Sequence, residues 1–167
     1  MFAQSKRIIA ILSAAALLGI GATAALAQEH SHAAHAHHAK ETPQLTLNNG
    51  NKWETDANLR QAMDRIRDAL SAELHAIHTG KATAEQYRAL AMKTNDQIAF
   101  MVKNCKLEPK ADEMLHLVLA DIIAAADAMS GKDIGEARKG AEKIAAALEN
   151  YGIYFAHPCW HGVMSAH

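Results

Sequence analysis

Five residues with coordination or redox chemistry, Met63, Cys105, His116, His157 and Cys159, fall at intervals that a helical fold can bring toward one end. Thioether, thiolate and imidazole are soft or borderline donors, suited to haem iron, Cu(I) or Zn. His161 follows two residues beyond Cys159, and the run His30, His32, His35, His37 and His38 precedes the helical region. Neutral imidazoles on a flexible tract can wrap a single transition-metal ion. The two cysteines, the only ones in the chain, equally suit a Cys105–Cys159 disulfide in an oxidising compartment. Such a bridge stabilises by about 2–4 kcal/mol. Residue types alone therefore leave three readings open: a haem ligand set, a copper or other soft-metal site, and a disulfide with no cofactor.

The elements that position these residues read as four helices. Leu59, Met63, Ile66, Leu70, Leu74 and Ile77 step by three and four, the stripe of an amphipathic helix, with Thr55 as the expected N-cap and Gly80 as the stop. Thr83 and Gln86 form a capping box that opens a second helix, striped by Tyr87, Leu90, Thr94, Ile98, Met101 and Cys105. Pro109 suits the first turn of a third helix, broadly apolar from Met114 to Met129, and Ser130-Gly131-Lys132 closes it. Asp133 and Glu136 cap a fourth, running through Ile144, Leu148, Tyr151 and Phe155 until Pro158. Connections this short force an all-α, up-down-up-down antiparallel four-helix bundle. In it Met63 and His116 lie about two turns in from one end, roughly 10 Å at 1.5 Å per residue, and Cys105, His157 and Cys159 lie at that end. His75 and His78, in the last turn of the first helix at the opposite end, complement its dipole. Trp53 and Trp160 are expected to cover the open end, and His116 to be buried or half-buried against a neighbour such as Glu113.

The rest of the chain sets the context. Lys6-Arg7, the apolar run from Ile8 to Ile20 and the small-x-small box Ala25-Leu26-Ala27 have the pattern of a cleaved secretory signal peptide, which implies a periplasmic protein. The organisation read from the sequence is a signal peptide at 1–27, a His-rich linker at 28–52 expected to be disordered, the bundle at 53–160 and a tail at 161–167. No later apolar run is long enough to span a bilayer, so no membrane association is expected after cleavage. A formal net charge of −1 gives no electrostatic case for nucleic acid. Only one Glu-x-x-His, Glu113 to His116, occurs in the helical region, where a di-iron bundle needs two. Cys-x-x-Cys-His, Gly-x-Ser-x-Gly and phosphate-loop motifs are absent, and no nucleophile and base are paired, so no enzyme activity is expected.

The stretches Asn58-Leu59-Arg60-Gln61-Ala62-Met63-Asp64-Arg65-Ile66 and Ala147 to His157 resemble the first and last helices of the periplasmic cytochrome b562 family, and Asp112 to His116 and Met129 to Asp133 look alike as well. The resemblance covers roughly residues 54–158. It implies non-covalent haem b, with Met63 and His157 as axial ligands, and an electron carrier working with a redox partner. Ala62, Ala145, Ala147 and Gly152 are small enough to admit a porphyrin, and Met101, Leu115 and Phe155 could line its pocket. Both cysteines, the His-rich run and Pro158 depart from that family. The chain also resembles small uncharacterised secreted bacterial proteins sharing Asn104-Cys105-Lys106-Leu107 and a closing His157-Pro158-x-Trp160, which imply the bundle but no activity.

Three functional expectations follow. The first is a haem-binding electron carrier that uses Met63 and His157. The second is a metal-handling protein with a metal-donor partner, using His30, His32, His35, His37, His38, His116, His157, Cys159 and His161, with Cys105 and Met164 as further donors. The third is a cofactor-free structural or interaction bundle locked by Cys105–Cys159. Each would work as a monomer or weak dimer.

Overall fold

The computed structural model describes residues 43–163. Four helices form the bundle: α1, Ala57–His78; α2, Ala84–Asn104; α3, Pro109–Ser130; and α4, Ile134–Tyr154. They run up-down-up-down, each packed on the next in sequence. None of them is long and apolar enough to cross a membrane. The signal peptide, the His-rich run and Met164 lie outside the described residues.

The helix ends follow local chemistry. The capping box at Thr83 is complete: its hydroxyl accepts from the Gln86 N–H, and the Gln86 side chain accepts from the Thr83 N–H. Asp133 accepts from the Glu136 N–H at the start of α4. Glu108 caps α3, with Pro109 in the first turn where no N–H is needed. Gly80, at φ +69°, takes the left-handed position that ends α1. His75 and His78 occupy the last turn of α1, as expected.

One cap differs. Asp56, not Thr55, is the N-cap of α1. Its Oδ1 accepts from the Leu59 N–H at 2.7 Å, while Oδ2 accepts from the Lys106 N–H at 2.6 Å. Asn58 reaches the Asn104 carbonyl at 2.9 Å. The two acceptor oxygens of the carboxylate cap α1 and hold the α2–α3 connection at once, while the Thr55 hydroxyl donates to the Ala156 carbonyl. This docking is the structural role of Asn104-Cys105-Lys106.

The core runs the length of the bundle through Leu59, Met63, Ile66 and Leu70 of α1, Leu90 and Met101 of α2, Val118, Ile122 and Met129 of α3, and Ile144, Leu148 and Tyr151 of α4. Full burial of each such aliphatic side chain contributes about 1.5–3 kcal/mol. The buried Thr94 hydroxyl is satisfied by the Leu90 carbonyl at 2.9 Å. Helices α3 and α4 meet most closely, through Ala125, Ala137, Gly140 and Ala141, whereas α1 and α4 are the loosest neighbouring pair.

The chain closes across that loose seam. Helix α4 stops at Tyr154, one residue short of the expected Phe155, because Phe155 joins an extended arm instead. The Trp53 N–H donates to the Tyr154 carbonyl and the Ala156 N–H to the Trp53 carbonyl, both at 2.8 Å. Trp53 itself is buried, and its indole N–H donates to the Thr46 carbonyl at 2.6 Å. Residues 157–163 then fold back as a strap along α1 and α4.

Candidate functional site

Five side chains meet under the strap. Helix α1 presents Asp64 and Arg67 one turn apart, α4 presents Tyr151, and the strap returns His157 and Trp160. The Tyr151 hydroxyl and His157 Nδ1 are 3.1 Å apart, and His157 Nε2 faces Asp64 Oδ2 at 3.4 Å. Arg67 binds Asp64 and Asp68, each at 2.8 Å, and lies over the Trp160 ring at 5.1 Å. Trp160 meets Tyr151 edge-on at 4.9 Å, and its backbone N–H donates to the His157 carbonyl at 3.1 Å. Turning the chain this tightly puts Cys159 at φ +61°, a left-handed conformation that costs a non-glycine residue energy.

The electrostatics follow from this enclosure. The His157 side chain is only 6% exposed. Burial pulls its pKa below the ordinary histidine value; the Asp64 carboxylate pushes it back up, and Arg60 and Arg67 pull it further down. Burial likewise raises the Tyr151 phenol, with the Asp64 charge adding to the effect. The neutral imidazole then accepts from the phenol at Nδ1 and donates from Nε2 to Asp64. Beside the cluster opens a cleft of about 710 Å³ lined by Asp64, Arg67, Asp68, His157, Cys159 and His161, among others.

The structure divides the expected ligand set. Met63 is fully buried in the core and does not line the cleft. His116 stands on the α2–α3 face, 69% exposed, with Nδ1 bonded to the Asp112 carbonyl at 2.8 Å, not to Glu113. Cys105 borders a smaller groove there, with Met101, Leu115 and His116. His157, Cys159 and His161 share the α1–strap cleft.

Three expectations are corrected by this division. Cys105 and Cys159 form no disulfide; both are free. Cys105 is instead held by Asp56: burial first, then the Asp56 charge and hydrogen bond, push its thiol up to about 11. No group of three or more His, Cys, Asp or Glu among the described residues is placed to hold a metal ion. That removes the metal site expected from His116, Cys159 and His161, since His116 lies on another face and His157 is engaged at both nitrogens. The run His30 to His38 lies outside the described residues. Haem b does not fit between α1 and α4 either. A Cβ at Gly152 would lie 2.6 Å from Trp160, so the indole occupies the space those small residues were expected to leave. Phe155 stacks on Tyr151 at 5.3 Å, and the His157 nitrogens face Tyr151 and Asp64 rather than an open pocket.

Asp64, Arg67 and the Tyr151 hydroxyl were not singled out by sequence. The available signal was Gly152: a glycine within a helical stretch costs up to about 1 kcal/mol relative to alanine and marks a close approach, here by Trp160 in the last turn of α4. Trp160 covers the α1–α4 seam, while Trp53 supports the arm.

No family model, curated protein or solved structure matches this chain in the comparisons made. The likeness to cytochrome b562 is one of bundle architecture.

Proposed function

We propose that this chain is an exported, non-catalytic binding bundle whose site is the cleft between α1 and the C-terminal strap. The observation that carries this is the cleft itself, about 710 Å³, within the usual size of small-molecule sites. Its wall combines fixed charge with neutral hydrogen-bonding groups. Arg67 is shared between Asp64 and Asp68, which leaves one uncompensated carboxylate when the imidazoles are neutral. The complementary ligand is a small organic cation or zwitterion with an amino or guanidino group. Lys6-Arg7, the following apolar run and Ala25-Leu26-Ala27 support export to the periplasm. This reading needs no redox partner or metal donor.

The test is thermal stabilisation of the full chain by putrescine, spermidine and arginine. A ligand at one hundred times its Kd adds about 2.7 kcal/mol. Asp68 is 67% exposed and serves the fold little, so Asp68→Ala should keep the fold and lose the stabilisation. Absence of stabilisation by all three, or equal stabilisation of Asp68→Ala, overturns the assignment. Adding haem to the same preparation should give no shifted Soret band.

A further inference from the structure

The strap carries three unfavourable features within four residues. Cys159 sits at φ +61° without being glycine. The Trp160 indole N–H is buried and has no acceptor. The His157 ring is enclosed with two arginines nearby. Local conflicts concentrated in one short segment are characteristic of elements that move. What holds the strap down is equally local: the Tyr151–His157–Asp64 chain, Arg67 over the Trp160 ring, the edge-on contact of Trp160 with Tyr151 and the seat on Gly152. The buried core of the bundle is continuous and ends at Phe155; of residues 157–163 only Trp160 and Val163 pack against it, half-buried.

We propose that residues 157–163 form an acid-released latch over the α1–α4 seam, opening ahead of the bundle when His157 takes up a second proton, while Phe155 and Ala156 stay paired with Trp53. The groups facing His157 are Arg60, Asp64 and Arg67 from α1, Tyr151 from α4, and Trp160 within the strap itself; Asp68, Cys159 and His161 border the same cleft. Protonating Nδ1 turns the Tyr151 hydroxyl from donor to acceptor and leaves its proton facing an aromatic cluster. It also places a cation in an enclosed space beside two guanidinium groups, against a single carboxylate.

The direction follows from linkage. In the open strap His157 is solvated and has its ordinary affinity for protons, whereas in the docked strap burial weakens that affinity. Acid therefore favours the open form, and each pKa unit between the two forms shifts the opening equilibrium tenfold. Opening would uncover Gly152, Tyr151 and the polar face of α1, the wall of the proposed binding cleft. The latch rests on that reading only for its purpose; its motion is measured without ligand.

The experiment is a pH titration of tryptophan emission and acrylamide quenching in the full chain, with far-UV circular dichroism recorded alongside. Trp160→Phe, which keeps Trp53, supplies the background. The expected result is a red shift and faster quenching as pH falls below about 6.5, at constant helicity, and absent from Trp160→Phe and His157→Asn. Asp64→Asn removes the one carboxylate that favours the charged imidazole, so it should enlarge the step if His157 is the trigger. The proposal is overturned if emission stays constant until helicity falls, if the step survives in His157→Asn, or if Asp64→Asn removes it. Should His157→Asn fail to fold, the Asp64→Asn result still decides. A working latch with no ligand effect would sink the binding site and leave the latch standing.

Discussion

The indole of Trp160 lies against the bare Cα of Gly152, so closely that a Cβ at residue 152 would come within 2.6 Å of Cδ1 and Nε1. Helix α4 accepts a glycine in its last turn, and the strap gains a flat seat beside Tyr151. Gly152→Ala should therefore separate strap from bundle. Alanine favours the helix by about 1 kcal/mol, which offsets part of the lost contact, so global stability should change little. Trp160 should move into solvent. Emission should shift to the red at neutral pH with helicity intact, and an unchanged spectrum would show that the strap absorbs the methyl group without leaving.

How far the sequence foretold this arrangement depends on the range of the interaction. The helices, their capping pairs at Thr83 and Asp133, and the antiparallel order were legible because periodicity, caps and short loops are local. Thr55 and Asp56 are both good N-caps, and the choice fell to Asp56 through a contact with Lys106, fifty residues away. The metal and disulfide expectations failed for a related reason. Helix register told which end of the bundle held Cys105 and Cys159, but not which face. Asp56 holds one thiol at the α2–α3 groove, while the strap carries the other to the α1 side. Tertiary partners, not spacing, decided both.

Gly140 is the second close approach. A Cβ there would lie 2.6 Å from the Ala125 carbonyl oxygen and 3.0 Å from Met129 Cγ. Backbone on a neighbouring helix cannot step aside as a strap can. Gly140→Ala should force α3 and α4 apart at their tightest contact, where overpacking costs about 1–3 kcal/mol against a helix-propensity gain of about 1 kcal/mol. A net loss should appear as a lower denaturation midpoint, in contrast to the near-neutral Gly152→Ala. Equal effects of the two substitutions would contradict this account of the α3–α4 contact.

The two thiols should behave differently. Cys159 is exposed, whereas Cys105 is half-buried and its thiol, pushed up to about 11, is almost wholly protonated at neutral pH. Thiolate is the reactive species, so an aromatic disulfide reagent at pH 8 should titrate one fast and one slow group, and Cys159→Ser should remove the fast one. Asp56→Asn keeps the side chain's shape while removing the charge that raises the Cys105 pKa. It should speed the slow group. It should also cost about 0.5–1.5 kcal/mol, the usual scale of one hydrogen bond, because the amide keeps one acceptor oxygen for the two N–H groups of Leu59 and Lys106. Slow reaction unchanged in Asp56→Asn would mean that burial alone protects Cys105.

Global stability should fall at both ends of the pH range, for opposite reasons. His157 is a base whose folded pKa lies below its unfolded value of about 6.5. As pH drops through that value the unfolded chain binds more protons than the folded one, so stability declines and levels off below the folded pKa. Tyr151 is an acid whose folded pKa is raised above the ordinary value of about 10. Its contribution is complete below pH 10 and declines as pH climbs toward the folded value, because the unfolded phenol ionises first. Urea midpoints measured across pH should therefore fall from a neutral plateau on each side. Between about pH 6.5 and 5, above the range where ordinary carboxylates titrate, the acid slope should vanish in His157→Asn. Tyr151→Phe should reduce the alkaline slope near pH 10, leaving the part that comes from Cys105 and Tyr87, whose folded values burial also raises, and lower the plateau, since it deletes the hydroxyl paired with His157 Nδ1. An alkaline slope undiminished without the phenol would show that the burial of Tyr151 contributes nothing to it.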